Sequence, residues 1–359
     1  MKLFASLALF FVVLTHCLAQ SPPHWNASTS YQPDDIVVCS DHNYYRCIVA
    51  HHGANPVADP HRYWELNWVR TSTVLSAGPG ERFPDFHTVW GFIGNATVAG
   101  GCTITIQENP TATIAEHFPS AISLNHPFGS QININTNSNI TWKFDNPGTA
   151  LYLTKGHTFG SITGLQITGP LKYDVTSTGV VATQRSCFSS LNVTLTGFTT
   201  GVEATEDSFI NCSGTTINVF SDIGLLATSG SQIVATEANI TGILHAGLNK
   251  PLGVSATNSS YINCNYARIK SCTIGVSALN GARISMKYSK LSDGGEGIDG
   301  ELDSYIDAEY ASITNHQYTA VFVGSGSKVF AHGISLSGDG INFNISPNNM
   351  SGDGSEIFR

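Results

Sequence analysis

The densest concentration of groups able to move protons lies near the C-terminal end. There Asp293, Glu296, Asp299, Glu301, Asp303, Asp307 and Glu309 fall within seventeen residues. Cleavage of a glycosidic bond needs two carboxyl groups, one to protonate the leaving oxygen and one to activate water or attack the sugar. In extended chain, Asp307 and Glu309 stand about 6.8 Å apart on one side of a strand, within the roughly 6.5–9.5 Å that inverting glycosidases use. Asp299, Asp307 and Glu309 are therefore the candidate catalytic residues, placed at outward positions of one structural repeat. Lys287 competes for this role by occupying the same position as Glu309 one repeat earlier, where an exposed ion pair contributes about 0–1 kcal/mol. Arg268, Lys270, Arg283 and Lys287 form a small basic patch of no distinctive pattern. His316 and His332 are isolated in sequence and are expected at the surface. Gly338-Asp339-Gly340 and Gly352-Asp353-Gly354 read as turns, because calcium loops need nonapeptide repetition. No metal site or cofactor is expected, and calcium at the acidic run is the one cation that this chemistry admits.

A second chemistry-bearing group is aromatic. Trp25, Tyr31, Tyr44, Tyr45, Trp64 and Trp68 lie between residues 24 and 69. Sugars present an apolar C–H face that stacks on an indole or phenol, while polar neighbours take the hydroxyls. All six are candidate carbohydrate-binding residues. Trp25 and Trp64 suit the core, and Tyr31, Tyr44, Tyr45 and Trp68 suit an exposed face. Adjacent His51 and His52 point to opposite sides of a strand, which argues against a metal pair and for solvated side chains. Short alternating stretches between Asp, Asn, Gly and Pro turns predict a three-stranded module over residues 21–70. A unit this small needs a staple, and Cys39 and Cys47 on consecutive strands could form it or remain free.

The order Trp25-x5-Tyr31, Asp34-Asp35-Ile36-Val37, Tyr45-Arg46-Cys47, Asp59-Pro60-x3-Trp64 resembles the chitin-binding type-3 modules of carbohydrate-binding families 5 and 12. It is also similar to versions in phage tail and other surface proteins. The Asp34-Asp35 pair replaces the family's Gly-Asp. This resemblance implies a chitin-like or cell-wall glycan as partner.

From Gly179 the chain repeats itself. Gly179, Gly201, Gly224, Gly253, Gly275, Gly297 and Ala320 recur mostly at 22 or 23 residues, and residues 247–252 make the one longer gap. Beside them run Val180, Val202, Leu225, Val254, Val276, Ile298 and Val321 at one residue past the anchor. At nine residues past it stand Phe188, Ile210, Ile233, Ile262, Ile284, Ile306 and Val329, and at sixteen Leu195, Ile217, Ile240, Ile269, Leu291, Ile313 and Leu336. Self-similarity at this period marks a stacked repeat. Period-two alternation without helical periodicity predicts three short strands and three turns per coil, each coil about 4.8 Å from the next. The expected fold is all-β, a right-handed parallel β-helix, and the coil length resembles the pectate-lyase-like superfamily. A looser match over 87–178, with His126-Pro127-x-Gly129, is similar to β-helical phage and virion proteins. The superfamily's hydrolases imply Asn-Thr-Asp and Asp-Asp motifs, and neither stands in the repeat region. Cys212 and Cys264 fall two coils apart, about 9.6 Å, too far for a disulfide, and are expected as buried free thiols. The pairing of Cys102, Cys187 and Cys272 stays open.

The remaining features place the protein. Lys2, an apolar run from Leu3 to Leu14 and Cys17-Leu18-Ala19 follow the order of a signal peptide over residues 1–19. The apolar run is shorter than the ~20 residues a membrane span needs. The expected organisation is then the module at 21–70, a linker at 71–86, the β-helix at 87–346 and a flexible tail at 347–359. Nine sequons occur, at Asn26, Asn95, Asn139, Asn192, Asn211, Asn239, Asn258, Asn344 and Asn349, for use if the host glycosylates. A formal net charge of −9 disfavours nucleic acid. The expected protein is secreted, without membrane insertion, and binds polysaccharide on an adhesin, envelope or virion surface. β-Helical spikes often form homotrimers, which one chain does not reveal. The competing expectation is a polysaccharide hydrolase or lyase delivered by the module.

Overall fold

The computed structural model describes residues 22–58, 60–108, 114–136, 140–170, 176–243, 251–338, 340–345 and 356–358. The chain divides into two compact units, one ending at Ile104 and the other beginning at Thr105. The signal-like segment, Asn139, Asn349 and most of residues 347–359 lie outside the described residues.

The second unit is a parallel β-solenoid of about nine turns. Its coils are three-sided. The first face carries Ser177–Ala182, Thr200–Ala204, Ile223–Ala227, Leu252–Ala256, Ile274–Ala278, Glu296–Gly300 and Thr319–Val323 in parallel order. The second carries Phe209–Asn211, Gln232–Val234, Tyr261–Asn263, Arg283–Ser285, Tyr305–Asp307 and Lys328–Phe330; the third carries Thr216–Phe220, Asn239–Gly242, Arg268–Lys270, Lys290–Ser292, Ser312–Thr314 and Ser335–Ser337. The register matches the sequence columns residue for residue. Val254 pairs with Val276, Ile262 with Ile284, and Ile269 with Leu291. All three columns are buried through the central coils, so like side chains stack along the interior.

The glycine anchors have a steric cause. A Cβ on Gly179 would sit 2.6 Å from Gly201 O, and one on Gly253 would meet Gly275 O at 2.5 Å and the Ile269 side chain. The first-face backbone therefore turns its corner against the carbonyl of the next coil and the apolar column of the third face. At the turn between second and third faces Glu237, Tyr266, Tyr288 and Tyr310 all hold positive φ, between 57° and 61°. Non-glycine residues adopt this conformation at a cost, which the repeated inter-coil hydrogen bonds Tyr266 N→Lys287 O (2.9 Å) and Tyr288 N→Glu309 O (3.1 Å) offset. The three exposed tyrosines stack at 5.2 Å with planes 6° and 11° apart.

The solenoid reaches further than the sequence repeat. Leu151 pairs with Val180 and Phe159 with Phe188, 29 residues per coil in place of 22 or 23. At the far end Glu356–Phe358 adds a strand beside Lys328–Phe330, with Glu356 3.3 Å from Lys328 Nζ. Part of the expected tail is thus a strand.

The first unit contains the expected antiparallel strands Ile36–Val38, Tyr44–Cys47 and Trp64–Val69, with Thr97–Val98 added in parallel. The stretch expected as linker is structured. Thr73–Ala77 is a strand and Phe86–Ile93 a helix, its Asp85 cap accepting from Thr88 N at 2.7 Å and Gly94 closing it at φ 51°. Phe86, Val89, Phe92 and Ile93 are buried, and the Phe92 ring lies 6.1 Å from Tyr45. Among the described residues no helix is long and apolar enough to cross a membrane.

Candidate functional site

Of the six aromatic candidates, one presents a well-exposed ring. Trp68 is 39% exposed, whereas Tyr31, Tyr44, Tyr45 and Trp64 are buried and Trp25 is half-buried. The two expected core indoles share one acceptor, Trp25 Nε1 and Trp64 Nε1 donating to Ala54 O at 2.9 and 3.0 Å. The exposed-face expectation for Tyr31, Tyr44 and Tyr45 is corrected for identifiable reasons. Tyr44 faces Trp68 while Tyr45 faces Leu66, so a bulge at Asn67 turns consecutive tyrosines inward. Tyr45 donates to the Asp41 carboxylate under the helix, and burial together with that bond raises its pKa. Tyr31 packs on Trp64 at 5.1 Å, and Asn26 N donates to its Oη at 2.7 Å. His52 is exposed, but His51 sits among Tyr63 and Trp64 at 4.8 and 4.9 Å, so the pair is not solvated as a pair.

Around Trp68 the surface is organised. The Tyr44 ring lies 5.2 Å away, tilted 35°, and Arg70 extends its guanidinium 5.3 Å from the Trp68 centroid. Arg70 Nη1 donates to Tyr44 Oη at 2.8 Å, which leaves guanidinium N–H groups beside the indole. Pro23, His24, His42 and Thr71 complete a shallow pocket with Tyr44 and Arg70. Chemically this is an aromatic platform flanked by fixed donors.

All seven cysteines in the described residues are free. Cys39 and Cys47 do not bridge, because the register pairs Val38 with Tyr44 and Ile36 with Arg46, setting the two sulfurs at opposite ends of the hairpin. Four residues of strand is about 13 Å, twice what a disulfide spans. Cys212 and Cys264 are fully buried, and burial pushes each thiol up to about 12.

The acidic candidates separate. Asp299 lies on the first face, and Asp307 on the second. Asp307 and Glu309 both clasp Lys287, with Nζ at 2.9 and 2.7 Å. Two oxygens on one ammonium are closer together than the roughly 6.5 Å minimum of an inverting pair, and the clasp raises the Lys287 pKa. The ion-pair alternative therefore accounts for Glu309. Asp299 differs: burial, then Glu301 and Glu296, raise its pKa to about 7, and its Oδ1 is buried without a hydrogen-bond partner. Its ladder neighbours are Ser277 and Phe322, neither able to neutralise it. His316 is buried, contrary to expectation, and His332 is exposed. Among the described residues no group of three or more His, Cys, Asp or Glu side chains is placed to hold a metal ion.

Of the sequons, Asn26, Asn95, Asn192, Asn239 and Asn258 are exposed; Asn211 is half-buried, its Oδ1 accepting from Ser213 Oγ at 2.9 Å. Asn344 lies on a strand whose side-chain positions fall outside the described residues. No family model matches the chain, and no curated protein matches it.

Proposed function

We propose that this is a secreted protein that binds polysaccharide, without catalysis, through an aromatic module akin to the chitin-binding type-3 domains. In this reading a solenoid of the pectate-lyase-like type serves as a repetitive, protease-resistant support. The observation that carries it is Trp68, an indole 39% exposed and flanked by the Arg70 guanidinium. An indole with neighbouring donors suits a pyranose, whose C–H face stacks on the ring while the donors take its hydroxyls. Trp68→Ala in the full-length protein is expected to weaken retention on chitin about tenfold without shifting the unfolding midpoint. Unchanged retention, or no retention of the wild type, removes the reading.

Asp299 favours one second reading, a polysaccharide-cleaving enzyme. A carboxyl that stays protonated near neutral pH is suited to general acid catalysis. Reducing-end release from chitin, pectin or alginate, abolished by Asp299→Asn, would establish it; no release from any of the three would dismiss it.

A further inference from the structure

Between Glu237 and Asp293 the chain contains no Asp or Glu, in a protein of formal net charge −9. The same stretch holds six of the seventeen Lys and Arg residues. Lys287 is neutralised by its clasp. Arg268, Lys270 and Lys290 are not: all three are exposed on the third face and have no ion-pair partner among the described residues. Arg268 pairs in register with Lys290, and Lys270 with Ser292. These side chains line a shallow groove with Asn218, Asn239 and Thr241. Asp293, next in the chain to Ser292, directs its carboxylate to Ser292 Oγ at 2.9 Å and Asn315 Nδ2 at 3.2 Å, from both of which it accepts.

We infer that this third-face groove binds an acidic polysaccharide, with Arg268, Lys270 and Lys290 taking its carboxylates or sulfates and Asn218, Asn239, Thr241 and Ser292 its hydroxyls. Like charges directly opposite one another on neighbouring strands destabilise a sheet, and an external anion relieves that repulsion. Arg268 and Lys270 on one coil and Lys290 on the next set cations about 4.8 Å apart across the strand gap, a spacing commensurate with a chain that carries one anion per sugar. Neutral amides and hydroxyls on the two preceding coils, with Ser292 beside Lys290, match a hydroxyl-rich ligand. A nucleic acid fits less well. The net charge repels it, and the nearest rings, Tyr266 and Tyr288, stack on each other and leave no face between them for a base. The inference deepens the polysaccharide reading but uses a surface separate from Trp68.

The test uses the full-length protein stripped of N-glycans, since the Asn239-Ile240-Thr241 sequon opens on the groove. The probes are polygalacturonate, chondroitin sulfate, chitin and a single-stranded oligonucleotide. At least one acidic glycan is expected to bind, with affinity falling about tenfold between about 50 and about 200 mM salt. The triple variant Arg268→Gln, Lys270→Gln, Lys290→Gln is expected to lose about tenfold or more in affinity and keep its unfolding midpoint. Lys143→Gln, an exposed lysine elsewhere on the solenoid, should change nothing. Failure of both acidic glycans to bind, equal binding by the triple variant, or preference for the oligonucleotide overturns the proposal. Chitin retention reports separately: its loss with acidic-glycan binding intact would remove the Trp68 reading and leave the groove standing.

Discussion

Asp299 shows what one side chain's surroundings do to its chemistry. Seven carboxyl groups share the acidic run, yet burial and two neighbouring carboxylates raise this one to about 7. The folded state therefore holds a proton that the unfolded chain releases near pH 4. Between those values the folded protein binds more protons, so stability falls as pH rises. Asp299→Asn removes the titration. It is expected to stabilise the protein at pH 8, on the order of 2–4 kcal/mol from the size of the shift, and to leave stability at pH 4 unchanged. Urea unfolding at the two pH values checks this. Asp307 and Glu309, by contrast, each contact the Lys287 ammonium directly.

At the scale of the strand and coil, two columns make opposite predictions about adding atoms. Gly253 has no room for a methyl group between Gly275 O and Ile269. Gly253→Ala should cost about 1–3 kcal/mol, the usual penalty of overpacking, read as a lower thermal midpoint. The buried serine column has a gap. Ser208 N donates to Ser231 Oγ at 3.1 Å and Ser304 N to Ser327 Oγ at 3.0 Å, but Ala282 interrupts the series and Ser260 Oγ is left without a partner. Ala282→Ser restores acceptors for Ser260 and is expected to add about 0.5–1.5 kcal/mol. A fall in midpoint for this variant would count against the ladder's energetic role. The Lys287 pairing and the buried Cys212 were legible at this scale because a 22-residue register converts sequence offsets directly into neighbours across a strand gap.

Across the whole solenoid, each coil contacts only its neighbours, so stability is distributed as in other repeat stacks. Central coils such as that of Ile262 and Ile269 are covered on both sides, whereas among the described residues Ser335–Ser337 pairs with one neighbour and Leu336 is half-exposed. Amide exchange followed by mass spectrometry should show protection highest near residues 254–300 and falling toward Ser335–Ser337. Uniform protection along the stack would contradict nearest-neighbour stabilisation.

The amino-acid pattern by itself determined the solenoid's register, the glycine corners and the inward columns, because stacking identical coils makes every interior position a local repeat. The coils before Gly179 gave only a loose match, since their 29-residue length breaks that period. The helix at Phe86–Ile93 left a signal, an Asp85 cap and a Gly94 stop around periodic apolar residues, but a composition rich in strand formers masked it. Tertiary structure alone decided which aromatics meet solvent, because a one-residue bulge and a covering helix turned Tyr44 and Tyr45 inward. It also decided which charges stand alone. The 22-residue spacing already set Lys287 opposite Glu309; the folded side chains brought Asp307 onto the same ammonium and left Arg268, Lys270 and Lys290 facing water.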